Sequence, residues 1–143
     1  MNTIEVKRIG DHKHEIPKHA TGFSAGYDLR CVGEHTLAPG EQVLMPSGFA
    51  WAIPDGGVGL IKDRSSIAYK RGCVTHAGVI DCDYRGEVRI LMRNESDVSV
   101  TFKDGDRVAQ MIIVPYALND CVEKDKLQET VRGDGGFGHT GEK

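Results

Sequence analysis

The chain has 143 residues, 27% of them charged and 39% hydrophobic, and a formal net charge of −3. That length fits one domain with a real core. A mild negative charge without a long Lys/Arg run argues against a duplex-binding protein and leaves room for a small anion held by a few cations.

No apolar run approaches the roughly 20 residues of a membrane helix. The start, Met1-Asn2-Thr3-Ile4-Glu5, has no basic-then-apolar signal, so a cytoplasmic protein off the membrane is expected. Cys31, Cys73, Cys82 and Cys121 show no Cys-x-x-Cys spacing, and no His-Glu-x-x-His pattern is present. Structural zinc is therefore not expected, and the thiols read as reduced.

In chain order, the first segment with chemistry is Ser24-Ala25-Gly26-Tyr27-Asp28-Leu29-Arg30. It reads as a strand with Asp28 on the face opposite Tyr27 and Leu29, or else as a turn-capping Asp. Strands are expected over Glu41–Met45 and Gly57–Ile61, separated by the turn residues Pro54-Asp55-Gly56-Gly57. Arg64 to Arg71 is the one stretch suited to a short helix, with Asp63, Ser65 or Ser66 able to cap it and Gly72 able to end it. Arg64, two hydroxyls and helix-start amides together suit an anion, although an ordinary capped helix has the same composition.

Gly78-Val79-Ile80-Asp81-Cys82-Asp83-Tyr84-Arg85-Gly86-Glu87 is the densest constellation. Asp81 follows an apolar strand, as a positioned base would, and Tyr84 can lie against a ring. A charged hairpin turn is the plainer alternative, with Thr75-His76 as its other limb. Glu87–Met92 reads as a further strand, and Val98, Val100 and Phe102 alternate with Ser99 and Thr101 at the period of a half-buried strand. Gly105-Asp106-Arg107 is a turn entering the buried run Ala109–Val114, in which Gln110 is the odd polar residue and needs partners.

The segment from Arg132 to Gly141 holds five glycines among Arg132, Phe137, His139 and Thr140. Such a segment cannot pack a core and reads either as a disordered tail or as an arm that orders over a ligand. Phe137 would stack on a flat ring, and Arg132, the hydroxyl and bare amides suit phosphate oxygens. Many short strands with turns roughly 8–12 residues apart predict a sandwich or jelly roll. So small a β domain has little room for a deep pocket, which favours a ligand site between subunits reached by the terminal arm.

These five segments, in this order from Ser24 to Gly141, resemble the motifs of the trimeric dUTP pyrophosphatases (dUTPases). The resemblance implies an all-β fold: a distorted jelly-roll subunit of the β-clip type with one short helix and a flexible C-terminal arm, assembled as a homotrimer. Residues 1–126 would form the domain, and 127–143 the linker and arm that closes over a neighbouring active site. The implied reaction is hydrolysis of dUTP to dUMP and pyrophosphate with Mg2+ on the triphosphate. Each site would take the first, second and fourth motifs from one subunit, the third from another and the arm from the remaining one.

Carried over position by position, Asp81 is the base that activates the attacking water. Arg64, Ser65, Ser66, Gln110, Arg132, Gly138, His139 and Thr140 bind phosphate. Thr75, Gly78, Ile80, Tyr84 and Phe137 meet base and sugar, with Tyr84 excluding a 2′-hydroxyl. Asp28 holds the metal through water.

Two positions depart from patterns common in that family. Thr75 stands where many bacterial members have an Asn that bonds uracil, so backbone recognition must carry more. His139 stands where many have Ser. The nearest enzymatic rival, the dCTP deaminases, has a catalytic Glu at the position of Leu91, which can be neither acid nor base. A nucleotide-sensing regulator is the alternative of another class, and a structural jelly roll would not explain the arm.

Overall fold

The computed structural model describes residues 3–141. Among them the chain forms β1 (Glu5–Arg8), β2 (Gly26–Arg30), β3 (His35–Leu37), β4 (Gln42–Ala52), β5 (Gly57–Asp63), α1 (Ser65–Arg71), β6 (Cys73–His76), β7 (Val79–Ile80), β8 (Glu87–Asn94), β9 (Val100–Phe102) and β10 (Arg107–Pro115). One sheet has the order β1-β4-β8-β6, a second the order β2-β10-β5-β7, and β3 pairs with β9 in a third. Every named ladder is antiparallel. This is the all-β, jelly-roll class expected, with its one short helix.

The core lies between the two larger sheets. Val88, Ile90 and Met92 of β8 are fully buried while Arg89 and Arg93 are exposed, the alternation of a strand with one face inward. They meet Leu29, Met45, Trp51, Phe102, Val108 and Met111 in one apolar cluster. On the outward face of the same sheet, Leu44 lies opposite Leu91 and Pro46 opposite Arg89. Leu44 is 50% exposed there.

The strand expected at Glu41–Met45 continues to Ala52 because a bulge between Pro46 and Ala50 bends it rather than ending it. Gly48, at φ 76°, sits in that bulge, and its N–H donates to Glu87 Oε1 at 2.9 Å. His12 Nε2 donates to the Gly48 carbonyl at 2.9 Å and so ties the N-terminal segment to the bulge. Val98 falls outside β9 and is 60% exposed, so the alternating run yields a strand only from Val100.

Helix α1 corrects the expected cap. Its N-cap is Arg64, with no side-chain capping bond, while Gly72 ends it in the left-handed region at φ 63°, as expected. The Asp63 carboxylate is committed elsewhere, to Thr75.

The alternative of a hairpin, with Thr75-His76 as one limb and the strand before Asp81 as the other, does not form. β6 pairs with β8, whereas β7 pairs with β5 in the other sheet. The chain changes sheets at Ala77 and Gly78, both at positive φ (54° and 92°). A Cβ on Gly78 would also crowd the Ile61 side chain at 3.0 Å and its carbonyl at 3.1 Å, so glycine is required there.

Beyond Pro115 no strand or helix follows among the described residues, and most side chains from Tyr116 to Gly141 are exposed.

Burial pushes the Cys31 thiol up to about 11, with the nearby Asp106 carboxylate adding to the effect, and burial also raises the Cys73 thiol. Cys121 is exposed and Cys82 half-buried. Native-state labelling with a thiol-specific alkylating agent should therefore modify Cys121 first, and Cys31 and Cys73 only after unfolding. Mass spectrometry of the labelled peptides reads the order, and early labelling of Cys31 would contradict it.

Candidate active site

Three site residues meet at one corner. Asp28 and Gln110 are directly opposed in the β2–β10 ladder and so share a face. Asp28 pairs through Oδ1 with Arg64 Nε at 3.2 Å and through Oδ2 with Arg107 at 3.1 Å. Arg64 also donates to the Arg107 carbonyl at 2.9 Å. Gln110 Nε2 donates to the Asp63 carbonyl at 2.8 Å, which supplies the partner its buried strand required. Ser65 and Ser66 stand exposed on the first turn of α1.

Arg107 reaches this corner because the β10 ladder shifts register between Arg107 and Ala109. An extra residue there reverses the alternation, so Arg107, opposite Arg30, lies on the Asp28 face. The turn Gly105-Asp106-Arg107 is plain in the sequence, but nothing in it marks Arg107 as part of this corner. The bulge left one faint trace, the consecutive apolar pair Val108-Ala109, both fully buried.

Gly26 is required by close approach: a methyl there would overlap the Gln110 side-chain oxygen. Gly26→Ala should force Gln110 from its place and destabilise the fold by about 1–3 kcal/mol. Denaturant unfolding checks this, with a lower midpoint at an unchanged slope.

Asp81, Tyr84 and Ile80 lie together in a separate hollow. It is walled by Leu44, Val79, Ile80, Tyr84, Glu87 and Arg89, with Asp81 at its rim. The Tyr84 hydroxyl donates to the Glu87 carbonyl at 3.2 Å, which fixes the ring beside Asp81. The Glu87–Arg89 pair, at 3.5 Å, is part of this wall and was not foreseen as such. Ile80 is opposite Gly59 on β5, whereas the Asp28–Arg64–Gln110 corner begins at Asp63 of that strand. Four strand residues separate those register positions by about 13 Å.

Thr75 and Gly78 lie between the two places: the Thr75 hydroxyl donates to Asp63, and the Gly78 carbonyl accepts the Ile61 N–H at 2.8 Å.

The arm residues form a third group. Arg132 Nε donates to the Gly135 carbonyl at 2.9 Å, and the His139 N–H donates to the Gly136 carbonyl at 3.1 Å. Phe137, at φ 48°, is fully exposed. Arg132, Phe137, Gly138, His139 and Thr140 line one shallow surface of their own. Within one chain the structure thus brings Asp28, Arg64 and Gln110 together, holds Asp81 with Tyr84 and Ile80, and leaves the arm group as a third set.

The molecule is a jelly-roll β protein with a corner that holds two arginines and two serine hydroxyls and, apart from it, a hollow that holds a carboxylate and a tyrosine. Residues 12–141 match the model of the dUTPase family. A deoxyuridine 5'-triphosphate nucleotidohydrolase of Anaeromyxobacter sp. (strain Fw109-5) is 42% identical over 143 residues, covering 97% of each chain. A protein of that name from Arabidopsis thaliana is 43% identical over 138 residues, covering 96% of this chain and 82% of its own length. Among solved structures, the Staphylococcus bacteriophage 80alpha dUTPase with dUpNHpp is similar at a TM-score of 0.92 and 27% identity, over 99% of each chain. The chain belongs to the dUTPase family.

Proposed function

We infer that this protein is a dUTP diphosphatase, which hydrolyses dUTP to dUMP and pyrophosphate. The observation that carries the reading is the family match over residues 12–141, joined by near-full-length identity of 42% to a deoxyuridine 5'-triphosphate nucleotidohydrolase. The activity keeps uracil out of DNA and supplies dUMP for thymidylate synthesis, and we propose that it acts on the nucleotide pool of the cytoplasm. No helix among the described residues is long and apolar enough to cross a membrane.

In the mechanism we propose, the Asp81 carboxylate orients a water and takes its proton as the water oxygen bonds to the α-phosphorus. The α–β bridging oxygen leaves with pyrophosphate. Displacement at phosphorus is chiefly a matter of positioning and charge neutralisation. Arg64, Gln110 and the hydroxyls of Ser65 and Ser66 hold the phosphates. Arg132 with Gly138, His139 and Thr140 closes over them, and Phe137 covers the uracil. Tyr84 lies against the deoxyribose, where a 2′-hydroxyl would collide with its ring. The backbone around Gly78 and Ile80 reads the base, since donors and acceptors set for uracil are left unpaired by cytosine.

Among the described residues no three His, Cys, Asp or Glu side chains gather to hold a metal ion. The corner has one inward carboxylate, Asp28, whose two oxygens already face Arg64 and Arg107. That donor set fits an ion carried in on the triphosphate and reached through water, as suits Mg2+, which retains several waters. When bound, Mg2+ would offset phosphate charge, and Asp28, held by its two arginines, would be the side chain that serves it through water.

Three copies would complete each site. The distance along β5 between the Asp81 hollow and the phosphate corner, and the separate arm group, support a site assembled from different subunits of a homotrimer. The outward Leu44–Leu91 face beside Asp81 gives such a neighbour an apolar surface to cover.

The test is pyrophosphate release from dUTP, dCTP, UTP and dTTP, each with and without Mg2+. Turnover of dUTP alone, dependent on Mg2+, is expected. Ammonia from dCTP would move the protein to the deaminases, and inactivity on dUTP would remove the reading.

A further inference from the structure

The Asp63 carboxylate is held twice by a single residue. Its Oδ1 accepts the Thr75 N–H at 2.6 Å and the Thr75 hydroxyl at 2.7 Å. The Asp63 carbonyl accepts Gln110 Nε2 at 2.8 Å. Asp63 ends β5 and directly precedes Arg64, whose guanidinium bridges Asp28 and the Arg107 carbonyl. One residue thereby touches three segments that carry site residues: β10, the start of α1, and the end of β6.

Thr75 lies just before the change of sheets at Ala77-Gly78. Past that change, the Gly78 carbonyl accepts the Ile61 N–H at 2.8 Å. The segment 75–78 is therefore fastened to β5 at both ends, by a side chain at Asp63 and by backbone at Ile61. A carboxylate there does what a strand partner does elsewhere, and a charge-assisted acceptor does it more strongly than a neutral carbonyl. Capping of α1 does not explain the arrangement, because the N-cap is Arg64 and no side chain caps it.

We propose that Asp63 is a positioning residue for base specificity: by holding Thr75 it sets the backbone of residues 75–80 at the height where it accepts uracil and refuses other bases. The Thr75 hydroxyl donates to Asp63, so it has no proton left to donate to a base. Discrimination then falls to backbone groups, whose placement relative to the phosphate corner the Asp63–Thr75 contact fixes. The inference rests on the dUTP reading above. Asp63 acts through Thr75 and touches neither the reacting phosphorus nor the water, so its loss belongs in KM and selectivity rather than in the chemical step.

The experiment compares the full chain with Asp63→Ala, Thr75→Val and Thr75→Ser, measuring kcat and KM for dUTP and kcat/KM for dCTP and dTTP. Loss of half-buried hydrogen bonds to a charged group predicts an increase in KM of about tenfold for Asp63→Ala, with kcat nearly unchanged. The preference for dUTP over dCTP should fall by a similar factor. Thr75→Val keeps the backbone bond and loses only the hydroxyl, so a smaller change in the same direction is expected, with Thr75→Ser returning close to the starting values.

Should Asp63→Ala fail to fold, the Val/Ser pair decides alone. Unchanged KM and unchanged dUTP preference in the folded variants, even with a lowered melting temperature, would make Asp63 a stabilising residue only and overturn the proposal. Absence of dUTP turnover by the unmodified chain would be a different failure, removing the functional reading and this inference with it.

Discussion

Asp81→Asn should lower kcat for dUTP by about 10²–10⁴-fold, the usual worth of a positioned general base, while the affinity for a non-hydrolysable dUTP analogue stays within a few-fold. The amide has nearly the shape of the carboxylate and still accepts a hydrogen bond from water, but it takes no proton at neutral pH. Asp81 is exposed at the rim of its hollow and makes no ion pair among the described residues, so the fold does not rely on it. Single-turnover kinetics with isothermal titration separate the two quantities. A variant that binds poorly yet turns over normally once saturated would make Asp81 a binding group.

Ending the chain at Val131 should cost about 10²–10³-fold in turnover, comparable to losing a transition-state hydrogen-bond donor, and leave thermal stability almost unchanged. The deleted segment includes Arg132 and Phe137, and its described residues add nothing to the buried core, whose last member in the chain is Met111. Size-exclusion chromatography with light scattering should give the same assembly for both forms, since the proposed subunit contact lies on the Leu44–Leu91 face. A truncated chain with full activity would show that the arm is not part of the site. A large drop in melting temperature would show that it belongs to the folded body.

The chemistry was legible where it is local. Asp81 and Tyr84 share a run of four residues, Arg64 stands against two hydroxyls, and Gln110 interrupts an apolar strand, so each announced itself without a partner. The strand periods were equally plain: β8 alternates inward and outward along nearly its whole length. The failures came where a contact crosses the chain. Asp63 looked like a helix cap because three residues of suitable type adjoin, and its true partner is 12 residues away across the change of sheets. The limbs 75–76 and 79–80 looked like a hairpin because hairpins join close neighbours. Only Gly78 hinted at positive φ, and Ala77 gave no such sign. Arg107 was missed because a bulge reverses which face it occupies, and no period-two pattern survives an inserted residue.

The pairing of β2 with β10 joins segments near opposite ends of the chain. On the ribosome, Asp28 emerges long before Gln110 and Arg107, and its strand must wait without its ladder partner while some eighty residues are synthesised, which takes about 4–16 s at 5–20 residues per second. The nascent chain therefore cannot complete the Asp28 corner by stages from its N-terminus, and release of β10 from the exit tunnel is the event that lets that sheet close.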